Sequence, residues 1–206
     1  MTNAGRAAII MTIIGLVEGA PLVSFYLMPG GPGVVGRWLG IGAPPIGPLA
    51  WAAALVIALT YAGASMISLP AIRERLFTLN GLKLLGVAFA LITGTFEEWF
   101  FRHWLMDLGA SHGLGVGWQI IGSGVIFGVA HAIWGLFGGN LRAFYTSMAF
   151  TTVMGLALAG LYVVAGRQVA PAVWSHILIN LIIEPWLLLG VLNLRDRGQA
   201  GPSPES

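Results

Sequence analysis

The chain has no cysteine, a single lysine and few charges of either sign. Without cysteine there is no disulfide, no thiolate nucleophile and no thiolate metal site. Charged residues make up 9% of the 206 positions, against about 25% in globular domains. So few charges cannot coat a soluble protein of this size, so lipid must face much of its surface. A soluble enzyme, a nucleic-acid reader and a disordered linker are thereby excluded. The net charge is only +2, so a pI near 9.4 reflects scarce acids and not a basic patch. There is no N-glycosylation sequon, no lipidation box and no internal repeat.

What the chain does have is apolar length. Hydrophobic residues reach 57% and the mean hydropathy is +0.84. Six stretches of about 20 residues are long enough to cross a bilayer as helices. They fall at 7–28, 47–69, 82–105, 117–137, 143–165 and 169–192. The expected fold is all-α, a polytopic membrane helix bundle with about six transmembrane helices. Residues 1–193 form one transmembrane domain with a motif core at 82–192, and the polar, Pro/Gly-rich 194–206 is a disordered tail. The first stretch carries Glu18 and is too long for a signal-peptide core, so it is read as a retained span. The segment AIRERLFTLN after Pro70 has charges on one side and Leu/Phe on the other, as an interfacial turn of helix does.

Basic residues set the orientation. Arg6, Arg73, Arg75, Lys83, Arg142, Arg195 and Arg197 fall on the N-terminal side, against Arg37, Arg167 and the intramembrane Arg102 on the other. Both termini are therefore expected in the cytoplasm. Gly15/Gly19 and Gly124/Gly128/Ala132 recur every four residues, a spacing that lets helix backbones approach closely in lipid. The fourth span is expected to be clasped by a neighbour on that side. GLGVG at 113–117 reads as a flexible turn and not a phosphate loop.

Ionisable groups inside lipid carry the functional information, since each costs roughly 2.5–3.5 kcal/mol at a helix centre. The third span contains FEEWFFRHW, with Glu97, Glu98, Arg102 and His103 on one apolar helix. Glu98 and Arg102 are four apart and can pair, whereas Glu97 points about 100° away. In the fourth span His131 follows Phe127 by one turn. In the sixth, His176, Asn180 and Glu184 form a polar stripe on an otherwise apolar helix. Pro185 directly follows Glu184 and marks a kink near the interface. Three helices thus offer a carboxylate, two imidazoles and an amide toward one interior. Glu97, His131 and His176 are the ligand types of a hydrolytic zinc site with an open position. A metal-independent site, in which the glutamate activates water as a general base, fits the same residues equally well. Ser175 adjoins His176 in sequence, but adjacent helical residues do not face each other, which argues against a serine mechanism.

Glu97-Glu98-x-x-x-Arg102, Phe127-x-x-x-His131 and His176-x-x-x-Asn180 together resemble the three-motif signature of the CPBP (CAAX protease and bacteriocin-processing, or Abi) family of intramembrane proteases. The resemblance runs from Glu97 to Asn180, in the expected order and on separate helices. It implies that Glu97 activates the attacking water and that Glu98 with Arg102 holds the site's geometry. His131, His176 and Asn180 would position water and stabilise the oxyanion. Two departures stand out: His103 stands where the family usually has Gly, and ITGTF lacks the small-Pro approach of many members.

The function expected is therefore an intramembrane endopeptidase acting on a membrane protein or a lipidated or hydrophobic peptide. Its partners are that substrate and the lipid bilayer, with no nucleic acid. The alternatives are a non-catalytic binding or immunity component that keeps the fold, or a proton-coupled transporter. Glu18 and Glu184 favour transport, and the lack of visible repeats or interrupted helices opposes it.

Overall fold

A computed structural model describes residues 1–137 and 141–199. The described residues are helical and contain no strand, so the protein is an all-α membrane bundle. Five long apolar helical segments can each span a bilayer: α1 (Asn3–Leu27), α3 (Pro48–Ser68), the segment Gly81–Ser111, α7 (Val116–Phe137) and α8 (Leu141–Val164). A sixth crossing is broken, because α9 (Ala170–Ile183) and α10 (Trp186–Gln199) meet at 48°. The kink expected at Pro185 falls here, and it interrupts the span read over 169–192. Glu184 has extended backbone, which stops α9, and Pro185 cannot continue it.

Lys83 holds this break. Its Nζ donates to the carbonyls of Leu181 (2.5 Å) and Glu184 (2.7 Å), two acceptors left over at the end of α9. Gly86 lets the break seat against its helix, since a Cβ there would stand 2.9 Å from Pro185 Cδ.

Two short helices lie between the spans. One is the segment anticipated after Pro70, α4 (Pro70–Arg75). The other, α2 (Gly31–Trp38), lies in a Gly-rich stretch that hydropathy passes over. It forms because Pro32 starts the helix and Trp38 anchors its end. Trp38 packs against Phe25 and Trp99 with ring centroids at 5.4 and 5.5 Å.

The tail needs a correction. Residues 194–199, expected to be disordered, continue α10, and residues 200–206 lie outside the described residues. Asn3 donates to Asn193 (2.9 Å) and Arg6 pairs with Asp196 (3.4 Å), so the start of α1 and the end of α10 share one face.

Small residues decide which helices touch. On α7, Gly124 and Gly128 face α8 so closely that a Cβ at Gly128 would lie 2.9 Å from Met148 O and from Thr152 Cα. On α3, Ala50, Ala54, Ala58 and Ala62 are buried at four-residue spacing, and Ala54 O accepts from Ser175 Oγ of α9 at 2.9 Å. A Cβ at Gly15 of α1 would meet nothing within 4 Å. Gly128→Ala is expected to lower stability by about 1–3 kcal/mol, because backbone must move. Gly15→Ala is expected to leave it unchanged or slightly raised. Thermal unfolding of the two variants in one detergent checks the contrast.

Candidate active site

The segment Gly81–Ser111 comprises α5 (Gly81–Glu98), a π-helical turn Trp99–Trp104 and α6 (Leu105–Ser111). The π turn carries Arg102, and its wider winding lets consecutive Phe101 and Arg102 both face inward, 8% and 0% exposed. Ser123 of α7 donates to the Phe101 carbonyl at 2.8 Å, taking up an acceptor in the widened turn. On the other side, Gly94 admits α9, since a Cβ there would sit 3.0 Å from Ile177 N. These two features bring α5, α7 and α9 within side-chain reach.

Glu98, fully buried, binds Arg102 Nε at 3.0 Å and His176 Nδ1 at 2.8 Å. Arg102 also donates to the Gly155 carbonyl of α8 (3.3 Å) and lies 4.5 Å above the Phe127 ring. Phe127, fully buried, stacks on His131 at 4.0 Å and meets His176 edge-on at 5.8 Å. The phenylalanine of the second motif is therefore the apolar wedge among one cation and two imidazoles.

Glu97 turns the other way. Its Oε2 lies 3.2 Å from His131 Nε2 and 3.8 Å from His176 Nε2. Asn180 donates through Nδ2 to Thr93 Oγ1 at 3.1 Å, and Thr93 in turn donates to the Phe89 carbonyl at 3.0 Å. Thr93 belongs to the site although no sequence motif names it. The available signal was its place one turn before Glu97 on the same helix face.

Hydrogen-bond logic fixes most of the protons. His131 Nδ1 lies 2.9 Å from the Phe127 carbonyl, which can only accept, so Nδ1 carries hydrogen. The 3.2 Å contact between Glu97 and His131 Nε2 then holds one further proton. His176 Nδ1 donates to Glu98, already the counterion of Arg102, leaving Nε2 to accept. The Glu97–His131 pair is neutral with its shared proton, and Glu98 balances Arg102. A charge-balanced cluster is what a membrane interior tolerates.

Glu97, His131, His176 and Asn180 all line one cavity of about 560 Å³, walled by α3, α5, α7, α8, α9 and α10. Its lining runs from Glu97 and His176 down to Ser68, Arg142 and Leu194, toward the face that bears the chain ends. Glu184 lines it as well, whereas Glu18, half-buried on α1, does not. His103 stands apart, pairing with Asp107 at 3.0 Å. Arg167 and Tyr162 also bind Asp107, at 2.8 and 3.0 Å, so the departure at His103 falls in a polar clasp outside the cavity.

The donor types at Glu97, His131 and His176 suit zinc. Among the described residues, however, no group of three or more His, Asp or Glu side chains is arranged to hold a metal ion. As arranged, the Glu97 carboxylate faces the His131 imidazole at 3.2 Å.

Comparison with curated proteins and with solved structures gave no match. Residues 79–182, half of the chain, match the family described as type II CAAX prenyl endopeptidase Rce1-like. This interval holds all three motifs and every residue of the cluster, from Thr93 to Asn180. With buried acid, imidazoles and amide on one intramembrane cavity, the chain belongs to the type II CAAX prenyl endopeptidase Rce1-like family, the CAAX-type intramembrane endopeptidases.

Proposed function

We propose that the protein hydrolyses a peptide bond of a hydrophobic, membrane-associated substrate with water activated by Glu97. The observation that carries this reading is the 3.8 Å gap between Glu97 Oε2 and His176 Nε2. It is too long for a direct hydrogen bond and suits one bridging water. That water donates one hydrogen to Glu97 and the other to the lone pair of His176 Nε2, so its own lone pair faces the substrate carbonyl. Glu97 takes a proton as the water attacks, and the bond to His131 gives the proton a route to the leaving amine. The Asn180 amide, through the Nδ2 hydrogen not given to Thr93, supplies a donor to the oxyanion in a water-poor site where such bonds count most. Glu98 and Arg102 act through His176 and hold its ring in place. The family's name supplies the substrate class, a prenylated CAAX tail. The face carrying both chain ends is cytoplasmic in this proposal, because most of the Arg and Lys lie there.

The test is hydrolysis of a peptide library, with S-farnesylcysteine peptides included, by protein purified in detergent. Wild type is expected to cleave, and His131→Ala to lose about 10²–10⁴-fold. A wild type that binds peptides and cleaves none points to the non-catalytic alternative. Metal analysis of the same samples bears on zinc: bound zinc in wild type that disappears in His176→Ala replaces the glutamate-only route with a metal-assisted one.

A further inference from the structure

The active-site cavity contains a cation that takes no part in the chemistry above. Arg142 stands in the first turn of α8, is exposed, and lines the cavity shared by Glu97, His131 and His176. It has no ion-pair or hydrogen-bond partner among the described residues. Of the other basic residues on that side of the bundle, Arg73 and Arg195 are exposed and do not line the cavity, and three more are engaged. Arg6 pairs with Asp196, Lys83 caps α9, and Arg75 lies 6.0 Å over the Trp186 ring.

The register of α8 places Arg142 relative to the reacting atoms. Ser147 Oγ donates to the His131 carbonyl at 3.1 Å, which levels Ser147 with the His131 backbone, while the ring reaches back to the Phe127 carbonyl, about 4 Å deeper. Arg142 is five residues earlier, about 7.5 Å along the axis toward the cavity mouth. From the ring to Arg142 is then about 11 Å, which an extended peptide covers in about three residues. The cavity walls are also unlike. Arg142 and Thr146 stand on the α8 wall, whereas Leu187 and Val191 make the α10 wall apolar. Glu184, the other charge toward the mouth, sits at the α9–α10 junction and would repel an anion there.

We propose that Arg142 is a specificity residue that takes the free C-terminal carboxylate of the substrate peptide about three residues beyond the scissile bond, with the apolar side chains laid against α10. A guanidinium is well matched to this task, because it binds a carboxylate through two parallel N–H groups. The inference rests on the peptidase reading, and its test separates the two.

Full-length Glu97→Gln protein in nanodiscs is titrated with a fluorescent S-farnesylcysteine peptide bearing two or three further apolar residues, made as the free acid and as the carboxamide. The acid is expected to bind at least about tenfold more tightly than the amide. Adding Arg142→Gln is expected to weaken the acid to the level of the amide while leaving amide affinity unchanged, which also reports an intact fold. Arg142→Lys is expected to keep part of the preference. Equal affinity of acid and amide, or a preference that survives Arg142→Gln, overturns the proposal. The second result would be expected if the arginine only met lipid phosphate at the membrane surface. Hydrolysis by wild type is scored separately. Acid preference without cleavage keeps the carboxylate site and rejects the peptidase, and cleavage without acid preference does the reverse.

Discussion

Glu97→Gln is expected to lower kcat/KM by about 10³-fold or more while leaving thermal stability within about 0.5 kcal/mol of wild type. Glutamine keeps the volume of glutamate, so the packing on α7 and α9 survives. It also keeps the contact to His131. With Nδ1 of that ring committed to the Phe127 carbonyl, neutral His131 presents a lone pair at Nε2, which the glutamine amide can fill as a donor. What is lost is the base alone. Activity and unfolding measured on one preparation check both halves, and an active Glu97→Gln protein would remove Glu97 from the mechanism.

The second large effect belongs to the ion pair behind the site. Arg102 and Glu98 are both fully buried, 3.0 Å apart. Arg102→Leu leaves the Glu98 carboxylate without its counterion, and a loss of about 3–5 kcal/mol is expected. The double change Glu98→Leu/Arg102→Leu removes both charges and should recover most of that loss, because replacing a buried pair by apolar side chains is often nearly neutral. It should not recover all of it. His176 Nδ1 still points at the position Glu98 occupied, and an unmet buried donor costs about 1–3 kcal/mol. Activity is expected to stay low in the double variant, since nothing then fixes the ring that holds water against Glu97. The unfolding midpoints of wild type, both single variants and the double variant form a cycle that measures this coupling. Additive single effects would show that the pair does not act as a unit.

How far the sequence could be read follows from what sets each feature. The spans were legible because lipid demands about 20 apolar residues per helix. The α7–α8 clasp was legible because Gly124, Gly128 and Ala132 fall at helical spacing. The composition of the catalytic cluster was legible for the same reason, as charges scarce enough to be counted stand out on apolar helices. The features that escaped depend on tertiary contact. The π turn at Trp99–Trp104 leaves no periodic signature, yet it accompanies Arg102 turning inward with Phe101. Asn180 bonds Thr93, a hydroxyl too ordinary in sequence to single out. The break at Glu184 was visible as a proline, but not that Lys83 would hold it from 101 positions away. Glycine-rich α2 depends on where Trp38 finds Phe25 and Trp99.

The bent α9–α10 crossing is a feature transporters also use. Here the cavity it borders contains the Glu97–His131–His176 cluster, and the family match covers that cluster. Of the two acids that favoured transport, Glu184 lines this cavity and Glu18 does not, so they do not mark one continuous polar path along the cavity wall.

The central claim, that Glu97 activates a water that attacks the peptide bond directly, is tested most directly by one turnover in ¹⁸O-labelled water. Protein in excess over an S-farnesylcysteine peptide is quenched after a single cycle, and the new carboxyl terminus is weighed by mass spectrometry. The account predicts cleavage with one ¹⁸O in that carboxyl group. A first-turnover product without label, its oxygen drawn from a protein carboxylate through a covalent intermediate, would contradict it, as would intact peptide.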